Sequence, residues 1–261
     1  EGNEKSRLLS LNSDVLDVEM VGVIDLNTIV PYFKSLAMRY APAINLETQH
    51  YNPQNFNLAI HVKAFQPISA LLDPSLTLDD GALLDAQFSS EDYQAKFVAF
   101  SPSLVYKGVK VSNLSVLENA DNRAFSLDIK ADRINFADST YINNVAIRNV
   151  LANDSLVFNV EMSEKDATNY LNLNGDIHFA HNAPAYIHFR PSYIVLNRET
   201  WSLNDDAKMH ISQGKIYISD LVLNQDNQQV KLDGVLSKEN DKLNMLFQNF
   251  DLASLQGITK P

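Results

Sequence analysis

The chain has 261 residues, a formal net charge of −11 and no cysteine. Disulfides, thiol catalysis and cysteine-based zinc sites are therefore excluded. Phosphate binding needs clustered lysine and arginine, and the 21 such residues are scattered, so we expect neither nucleic acid nor an anionic membrane surface as a partner. The chain starts without methionine, and no apolar run reaches the roughly 18 residues of a membrane span. We interpret it as an excised or processed piece of a longer, anchored protein.

Alternation of apolar and polar residues with period two dominates the sequence, and it predicts strands with one apolar face. Four segments show this alternation most clearly. Their apolar positions are Leu16, Val18, Met20 and Ile24; Phe56, Leu58, Ile60 and Val62; Leu171, Leu173, Ile177 and Phe179; and Leu243, Met245 and Phe247.

One segment has helical spacing instead, and it predicts a helix over 25–40. The apolar positions of this helix are Ile29, Phe33, Leu36 and Tyr40. Asp25 or Asn27 would cap its N-terminus, and Pro31 would lie in its first turn. We expect this helix to cover one end of the sheet. A shorter helix is predicted around 67–72, and almost only strands and turns after it. The single segment 1–261 thus has a strand–helix–strand portion, 1–80, and a β-meander portion, 81–261.

An internal repeat organises the second portion. The segments 111–129, 141–160 and 218–232 each have the pattern strand, polar turn, strand. Their turns contain Asp121 and Asn122, Asn153 and Asp154, and Asp226 and Asn227. Asparagine and aspartate suit such turns because they tolerate a left-handed backbone. Repeated hairpins of this kind predict a long antiparallel meander.

Too few helices are predicted to cover a sheet of this length. A sandwich, a closed barrel or a trough folded lengthwise remain, and the long strands with only 8 glycines favour the trough. The predicted fold is mainly β: a long curved meander forming an apolar groove, with one or two short helices near the N-terminus. The candidate groove residues are Phe125, Leu127, Ile129, Leu156, Phe158, Val160, Leu171, Leu173, Ile177, Phe179, Ile187, Phe189, Ile216, Ile218, Val230 and Leu232.

The C-terminal part of the chain carries a resemblance to a known family. The residues that carry it are Tyr193, Ile194, Val195, Leu196, Trp201, Ile211, Gly214, Ile216, Ile218, Asp220, Leu221, Leu223, Gln228, Val230, Leu232, Gly234, Asn249, Phe250 and Leu252. The segments 22–26 and 101–108 fit the same pattern. From about residue 15 to 255 the chain resembles the TamB-type translocation and assembly module proteins of the Bacteroidota, within the wider AsmA-like group.

The resemblance implies a location and a role. Proteins of this group are anchored in the inner membrane and extend through the periplasm, and their sheet curls into a hydrophobic groove called a β-taco. They are implicated in phospholipid transport and outer-membrane biogenesis, with an Omp85-type barrel as a partner. The chain would then be a periplasmic segment that binds acyl lipid, without cofactor or catalysis.

Histidines offer a weaker alternative, a metal site. His178 and His181 are three residues apart and so face opposite sides of a strand. A turn over 181–184 would place His178 across from His188, with Asp176 nearby as a third ligand. We rank this metal site well below ordinary surface histidines.

Other chemistry has little support. Asp79 with Asp80, and Asp205 with Asp206, fit solvated turns better than a calcium site or an acid–base pair. No nucleophile-elbow, nucleotide-binding or zinc-protease motif occurs. Trp201 fits core packing better than groove lining or sugar stacking.

Three functions therefore remain open, in descending order. The first is a lipid-conduit segment, for which an open apolar trough is expected. The second is a structural or interaction module, with a sealed core and exposed sheet edges that add to a partner by β-augmentation. The third is a carbohydrate-binding or hydrolytic domain, with converging carboxylates and exposed aromatic residues.

Overall fold

The computed structural model describes residues 7–25, 27–47, 49–136, 141–163, 168–204, 206–237 and 241–251. Within these ranges 18 strands form one antiparallel sheet, accompanied by two α-helices and a short 3-10 helix. The predicted mainly β, antiparallel fold is confirmed. No helix in the described ranges is long and apolar enough to cross a bilayer.

The helices are α1 (Ile29–Tyr40) and α2 (Gln66–Leu72), and the 3-10 helix is Pro42–Ile44. The strands are β1 (Arg7–Asn12), β2 (Leu16–Val23), β3 (Asn55–Val62), β4 (Leu76–Leu78), β5 (Leu83–Ser89), β6 (Gln94–Tyr106), β7 (Val109–Ala120), β8 (Phe125–Asn135), β9 (Tyr141–Ala152), β10 (Ser155–Ser163), β11 (Tyr170–His178), β12 (Ala185–Phe189), β13 (Tyr193–Leu196), β14 (Glu199–Leu203), β15 (Lys208–Ser212), β16 (Lys215–Gln225), β17 (Gln228–Leu236) and β18 (Lys242–Gln248).

Strand pairing follows chain order from β1 to β18. Three pairs of short strands act as single interrupted strands, because both members align on one neighbour: β4 and β5 on β6, β12 and β13 on β11, and β14 and β15 on β16. In the part of the chain that the structure describes, β1 pairs only with β2 and β18 only with β17. These two strands are the edges of the sheet.

The three predicted hairpins are present. The ladder joins Ala152 to Ser155 across the turn at Asn153 and Asp154, whose φ angles are 50° and 58°. A two-residue turn with both φ angles positive suits the right-handed twist of a hairpin. The turns after β7 and β16 also join neighbouring strands of the ladder. The repeat therefore produces the meander that the sequence predicts.

The repeat also marks a second feature, a left-handed residue inside a strand. Asn113 in β7, Asn144 in β9 and Asp220 in β16 occupy the same place in their repeats and have φ angles of 49°, 46° and 56°. At Asp220 the register between β16 and β17 shifts by one residue. Irregularities of this kind bend a strand and increase its twist.

Helix α1 lies across one end of the sheet, as predicted. Its buried residues are Tyr32, Leu36 and Tyr40, and Leu36 and Tyr40 pack with Ala95 and Ala120 of β6 and β7. These small alanine side chains leave room for the helix to lie close to the strands.

The predicted N-cap of α1 is wrong. Thr28 holds the N-cap position, without a side-chain capping bond. Asp25 instead accepts a hydrogen bond from the backbone amide of Asn27 at 3.0 Å and from the side chain of Asn52 at 2.6 Å. The aspartate is therefore used to fix the loop before the helix. Pro31 does lie in the first turn, and α2 begins at Gln66, close to its predicted start.

Candidate binding face

A row of apolar residues crosses the sheet from β2 to β18. Residues that pair directly across an antiparallel ladder point to the same side, so the register identifies the row without ambiguity. Its members in order are Gly22, Phe56, Phe88, Ala95, Ala120, Phe125, Leu151, Leu156, Ile177, Ile187, Met209, Ile218, Gly234 and Leu243. At about 4.8 Å per strand the row is roughly 60 Å long.

A second row runs parallel to the first on the same side. Its members are Leu11, Val18, Ile60, Leu84, Ala99, Val116, Ile129, Ile147, Val160 and Leu173. All of them are aliphatic. We call the side of the sheet that carries these two rows, and the alternate strand positions between and beside them, the apolar face.

The candidate groove residues gather on this face. All of them except Phe179 lie in strands β8, β10, β11, β12, β16 and β17 and point to it. Phe179 follows the end of β11, and its backbone amide donates to the carbonyl of Asp154 at 2.8 Å. It therefore lies in the hairpin loop, at the border of the face.

Most of these side chains are half-buried rather than sealed in a core. Only Ile187 and Ile218 among them fall below 9% exposure. The accessible surface of the chain is 16432 Å², whereas a compact monomer of 29.3 kDa has about 11,500 Å². An excess of about 1.4-fold means that the sheet is not collapsed into a compact sandwich.

The opposite side of the sheet is predominantly polar. A row across it reads Glu19, Ala59, Asp85, Val98, Leu117, Asp128, Arg148, Asn159 and Asn174. Arg148 donates to Asn159 at 2.8 Å and lies 3.3 Å from the carboxylate of Glu161. We call this side the polar face. Its charged and amide groups are the solvated side of a half-buried sheet.

The predicted metal pair of histidines is wrong. The hairpin register sets His178 opposite Tyr186 and His188 opposite Asp176, two residues away from the expected pairing, because the loop between β11 and β12 is longer than the predicted turn. Nδ1 of His188 lies 3.5 Å from the carboxylate of Asp176. Within the described residues no group of three His, Asp or Glu side chains is placed to hold a metal ion.

The remaining sequence candidates have ordinary structural roles. Asp79 and Asp80 lie between β4 and β5, at a turn, as predicted. Asp205 lies outside the described residues, and Asp206 is exposed. Trp201 is 1% exposed on the apolar face, opposite Ile194 and 5.4 Å from the ring of Phe250. Its packing role is the one that the sequence favours.

One polar residue of the apolar face was not singled out in the sequence. Glu118 pairs with Phe97 and Leu127 across its two neighbouring strands and is 2% exposed. Within the described residues neither of its carboxylate oxygens accepts a hydrogen bond. Burial raises its pKa to about 7, and the nearby backbone amide of Phe97 lowers it only slightly. Val116 and Ala120, two positions before and after it, were the available signal.

No protein-family model, curated protein sequence or solved structure matches the chain. The function is therefore argued from the apolar face and from the residues that line it.

Proposed function

We propose that this chain is a periplasmic segment of an inner-membrane-anchored, TamB/AsmA-like protein that binds lipid acyl chains along its apolar face. Its role is then phospholipid transport in outer-membrane biogenesis. The observation that carries the proposal is the apolar row from β2 to β18. No charged side chain interrupts this row, and it is several times longer than one acyl chain.

The energetics of the face support a lipid rather than a small polar ligand. An acyl chain gains about 0.8 kcal/mol for each CH₂ group that leaves water. Half-buried Leu, Ile, Val and Phe side chains offer such a surface without first having to separate from a partner layer. Since neighbouring positions of the row are chemically alike, a chain moving along it crosses only small barriers. A uniform surface thus suits movement better than storage.

The curl of the sheet into a groove is part of the proposal. It is supported by the left-handed residues Asn113, Asn144 and Asp220 inside three strands, since such irregularities bend strands. A curled sheet would shield the acyl chain and leave the lipid head group at the open edge in water. An Omp85-type barrel is the partner that this role would require.

The test compares two neighbours that face opposite sides of β10. Phe158 lies on the apolar face, and Val157 lies on the polar face with 37% exposure. Protein purified without detergent is extracted with organic solvent, and phospholipid is measured by mass spectrometry. Uptake of a fluorescent fatty acid is measured in parallel.

We expect phospholipid in the wild-type extract and in Val157→Asp, and loss of most lipid in Phe158→Asp. Phe179→Asp should have a smaller effect than Phe158→Asp, because Phe179 lies at the border. Circular dichroism checks that each variant is folded. A lipid-free wild-type protein that also takes up no fatty acid would contradict the proposal.

A second function, a non-catalytic interaction module, is favoured by the edges of the sheet. Every residue of β1 and every residue of β18 is exposed, and an uncovered edge strand is a template for another strand. Light scattering at high concentration tests this alternative. Self-association that is lost in Leu8→Lys or in Leu246→Lys, and lipid-free protein, would support it over the lipid function.

A further inference from the structure

Helix α1 and Glu118 meet at the covered end of the apolar face. Tyr32 and Tyr40 of α1 are each 2% exposed, and Glu118 beneath them is equally buried. They lie close enough to Glu118 for its charge to contribute to the raised pKa of both tyrosine hydroxyls, although burial is the main cause. Within the described residues the hydroxyl of Tyr32, like the carboxylate, has no hydrogen-bond partner. The interface thus encloses a carboxyl group that nothing neutralises.

The helix is held mainly at its C-terminal end, by hairpin turns. The hydroxyl of Tyr40 donates to the carbonyl of Asp121 at 2.5 Å, and its own carbonyl accepts from the amide of Asp154 at 2.9 Å. Arg39 donates to the carbonyl of Asn122 at 3.2 Å and lies 3.7 Å from the ring centre of Tyr93. These contacts connect α1 to the β5–β6, β7–β8 and β9–β10 turns.

The N-terminal end of the helix has a separate attachment. Gln54 is fully buried; its side-chain oxygen accepts from the amide of Asp25 at 2.9 Å, and its side-chain nitrogen donates to Thr28 at 3.2 Å. This attachment lies in the loop before the helix. The middle of the helix, which covers Glu118, is held only by apolar packing of Tyr32 and Leu36 and by ring contacts of Tyr32 with Phe33 and Tyr51.

Few groups near Glu118 change charge in the neutral pH range. Burial raises the pKa of Tyr32 to about 12 and raises that of Tyr40 as well, so both stay neutral. The pKa of Asp121, in the β7–β8 turn, is lowered by the backbone amides of Ala124 and Arg123, so it stays ionised. The remaining groups that face this interface are Tyr51 in the loop before β3, Asp154 in the β9–β10 turn and the guanidinium of Arg39. Phe97 and Leu127, its neighbours on β6 and β8, carry no charge.

We propose that α1 is a proton-sensitive cap over one end of the apolar face, docked when Glu118 is protonated and displaced when Glu118 is ionised. This inference rests on the proposed lipid-binding function for its meaning, because the displaced cap uncovers Ala95, Ala120 and Phe88 for an acyl chain. The helix itself remains attached through its loop, so displacement is reversible.

The direction follows from the two states of the carboxyl group. In the docked state its pKa is about 7, against 4.5 for a solvated glutamate. Docking is therefore favoured fully below about pH 4.5 and weakens as the pH rises to about 7, where the ionised form becomes dominant even when docked. The ratio of docked to displaced protein decreases by up to about 300-fold over this range. Access to the covered end thus increases with pH.

Spin labels test the movement of the helix. The chain contains no cysteine, so Lys34→Cys on α1 and Gln87→Cys on the polar face of β5, both exposed positions, label a single pair. Distances are measured by pulsed electron spin resonance from pH 4.5 to pH 9. We expect one short distance at low pH and a growing, longer and broader population above pH 7.

Glu118→Gln in the labelled protein should keep the short distance at every pH, because the amide cannot ionise. Glu19→Gln, which changes an exposed carboxylate of the polar face, should behave as the wild type. A distance that does not depend on pH in the wild type overturns the proposal, and so does an equal pH dependence in Glu118→Gln. Nuclear magnetic resonance of ¹³C-labelled glutamate carboxyls in the unlabelled wild type gives the Glu118 pKa directly, and a value near 4.5 would also overturn it.

Fatty-acid uptake at pH 5.5 and pH 8.5 separates this inference from the proposed function. Greater uptake at pH 8.5 in the wild type, with no difference in Glu118→Gln, supports both. Helix movement without uptake at either pH supports the cap and contradicts lipid binding. Uptake at both pH values without helix movement supports lipid binding and contradicts the cap.

Discussion

The two ends of the apolar face share one sequence pattern but differ in what covers them. Beneath or beside α1, Phe56 and Ala120 are 4% and 3% exposed, whereas Met245 and Phe247 on β18 are 58% and 49% exposed. Period-two alternation therefore determines the side of the sheet on which a residue lies. It does not determine whether that side is sealed. The second property depends on α1, which is long enough to cover only a few strands.

The difference has an energetic meaning. A covered apolar side chain contributes its full transfer free energy to folding, and an open one contributes only the part hidden by its neighbours in the sheet. Large exposed apolar patches are rare on monomers and mark sites of interaction. The covered end thus stabilises the fold, while the open end keeps surface available for a ligand.

The largest expected effect compares two phenylalanines at opposite ends of the face. Phe56→Ala should lower the free energy of unfolding by about 3–5 kcal/mol, because it removes a buried ring and leaves a cavity. Phe247→Ala should lower it by less than about 1 kcal/mol, because half of that ring is already in water. Urea titrations followed by circular dichroism measure both. Equal losses would mean that the open end is sealed in solution.

Glu118→Leu should stabilise the covered end, and only above acidic pH. The native pKa of Glu118, about 7, exceeds its unfolded value of 4.5, so the native state binds more protons and its stability declines as the pH rises between these values. The variant lacks this loss. Its advantage over the wild type should increase by up to about 3 kcal/mol between pH 4 and pH 8.

Urea titrations at four pH values give this difference, with Glu19→Leu on the polar face as the control. The control should show no comparable pH dependence, because Glu19 is exposed. An advantage of Glu118→Leu that is the same at pH 4 and pH 8 would assign it to added apolar packing rather than to the removed charge.

Much of this arrangement follows from local patterns that the sequence displays. The strands, the three hairpins, both helices and the side on which the candidate groove residues lie all rest on alternation, helical spacing and turn chemistry, which act over a few residues. The exception among the groove candidates is Phe179. It continues the alternation of β11 but falls one residue after the strand, because alternation cannot show where pairing stops.

The missed features depend on distant residues. The pairing of His188 with Asp176 rather than His178 depends on loop length, and one error of two residues removes the metal site. Glu118 looks like a solvated residue beside the apolar Leu117, but the register with Ala95, Phe97 and Ala120 turns it inward. Its burial then depends on α1, about 80 residues earlier in the chain.

Gly175 tests whether the uncovered part of the face is packed within itself. A Cβ atom at this position would lie 2.5 Å from the ring of Phe158 and 2.6 Å from the carbonyl oxygen of His188. The ring of Phe158 therefore lies over the glycine, in an edge contact with Phe189 at 6.3 Å. Gly175→Ala should cost about 1–3 kcal/mol of unfolding free energy through this overpacking.

A double-mutant cycle with Phe158→Ala identifies the cause. Removing the ring should relieve part of the cost of Gly175→Ala, giving a coupling energy of at least about 0.5 kcal/mol. Additive effects would assign the cost to the His188 backbone. They would also show that Phe158 is free to move aside, as it must be if an acyl chain passes over it.

The smallest expected effect concerns Asn113, whose left-handed backbone interrupts β7 in the open part of the sheet. The ladder with β8 stops after Ser112 and resumes at Ser115, and the side chain of Asn113 donates to Asp132 at 2.7 Å. Asn113→Val should cost about 1–2 kcal/mol, because a β-branched residue resists this conformation. Asn113→Gly should stay within about 0.5 kcal/mol of the wild type, since glycine adopts it freely. Asn119→Val, at an exposed position of the same strand with ordinary backbone, should be neutral because valine favours strands. If Asn113→Val is also neutral, the strand straightens at no cost, and the repeated asparagine and aspartate residues do not fix a bend. The open end of the face would then be a flat sheet rather than a groove.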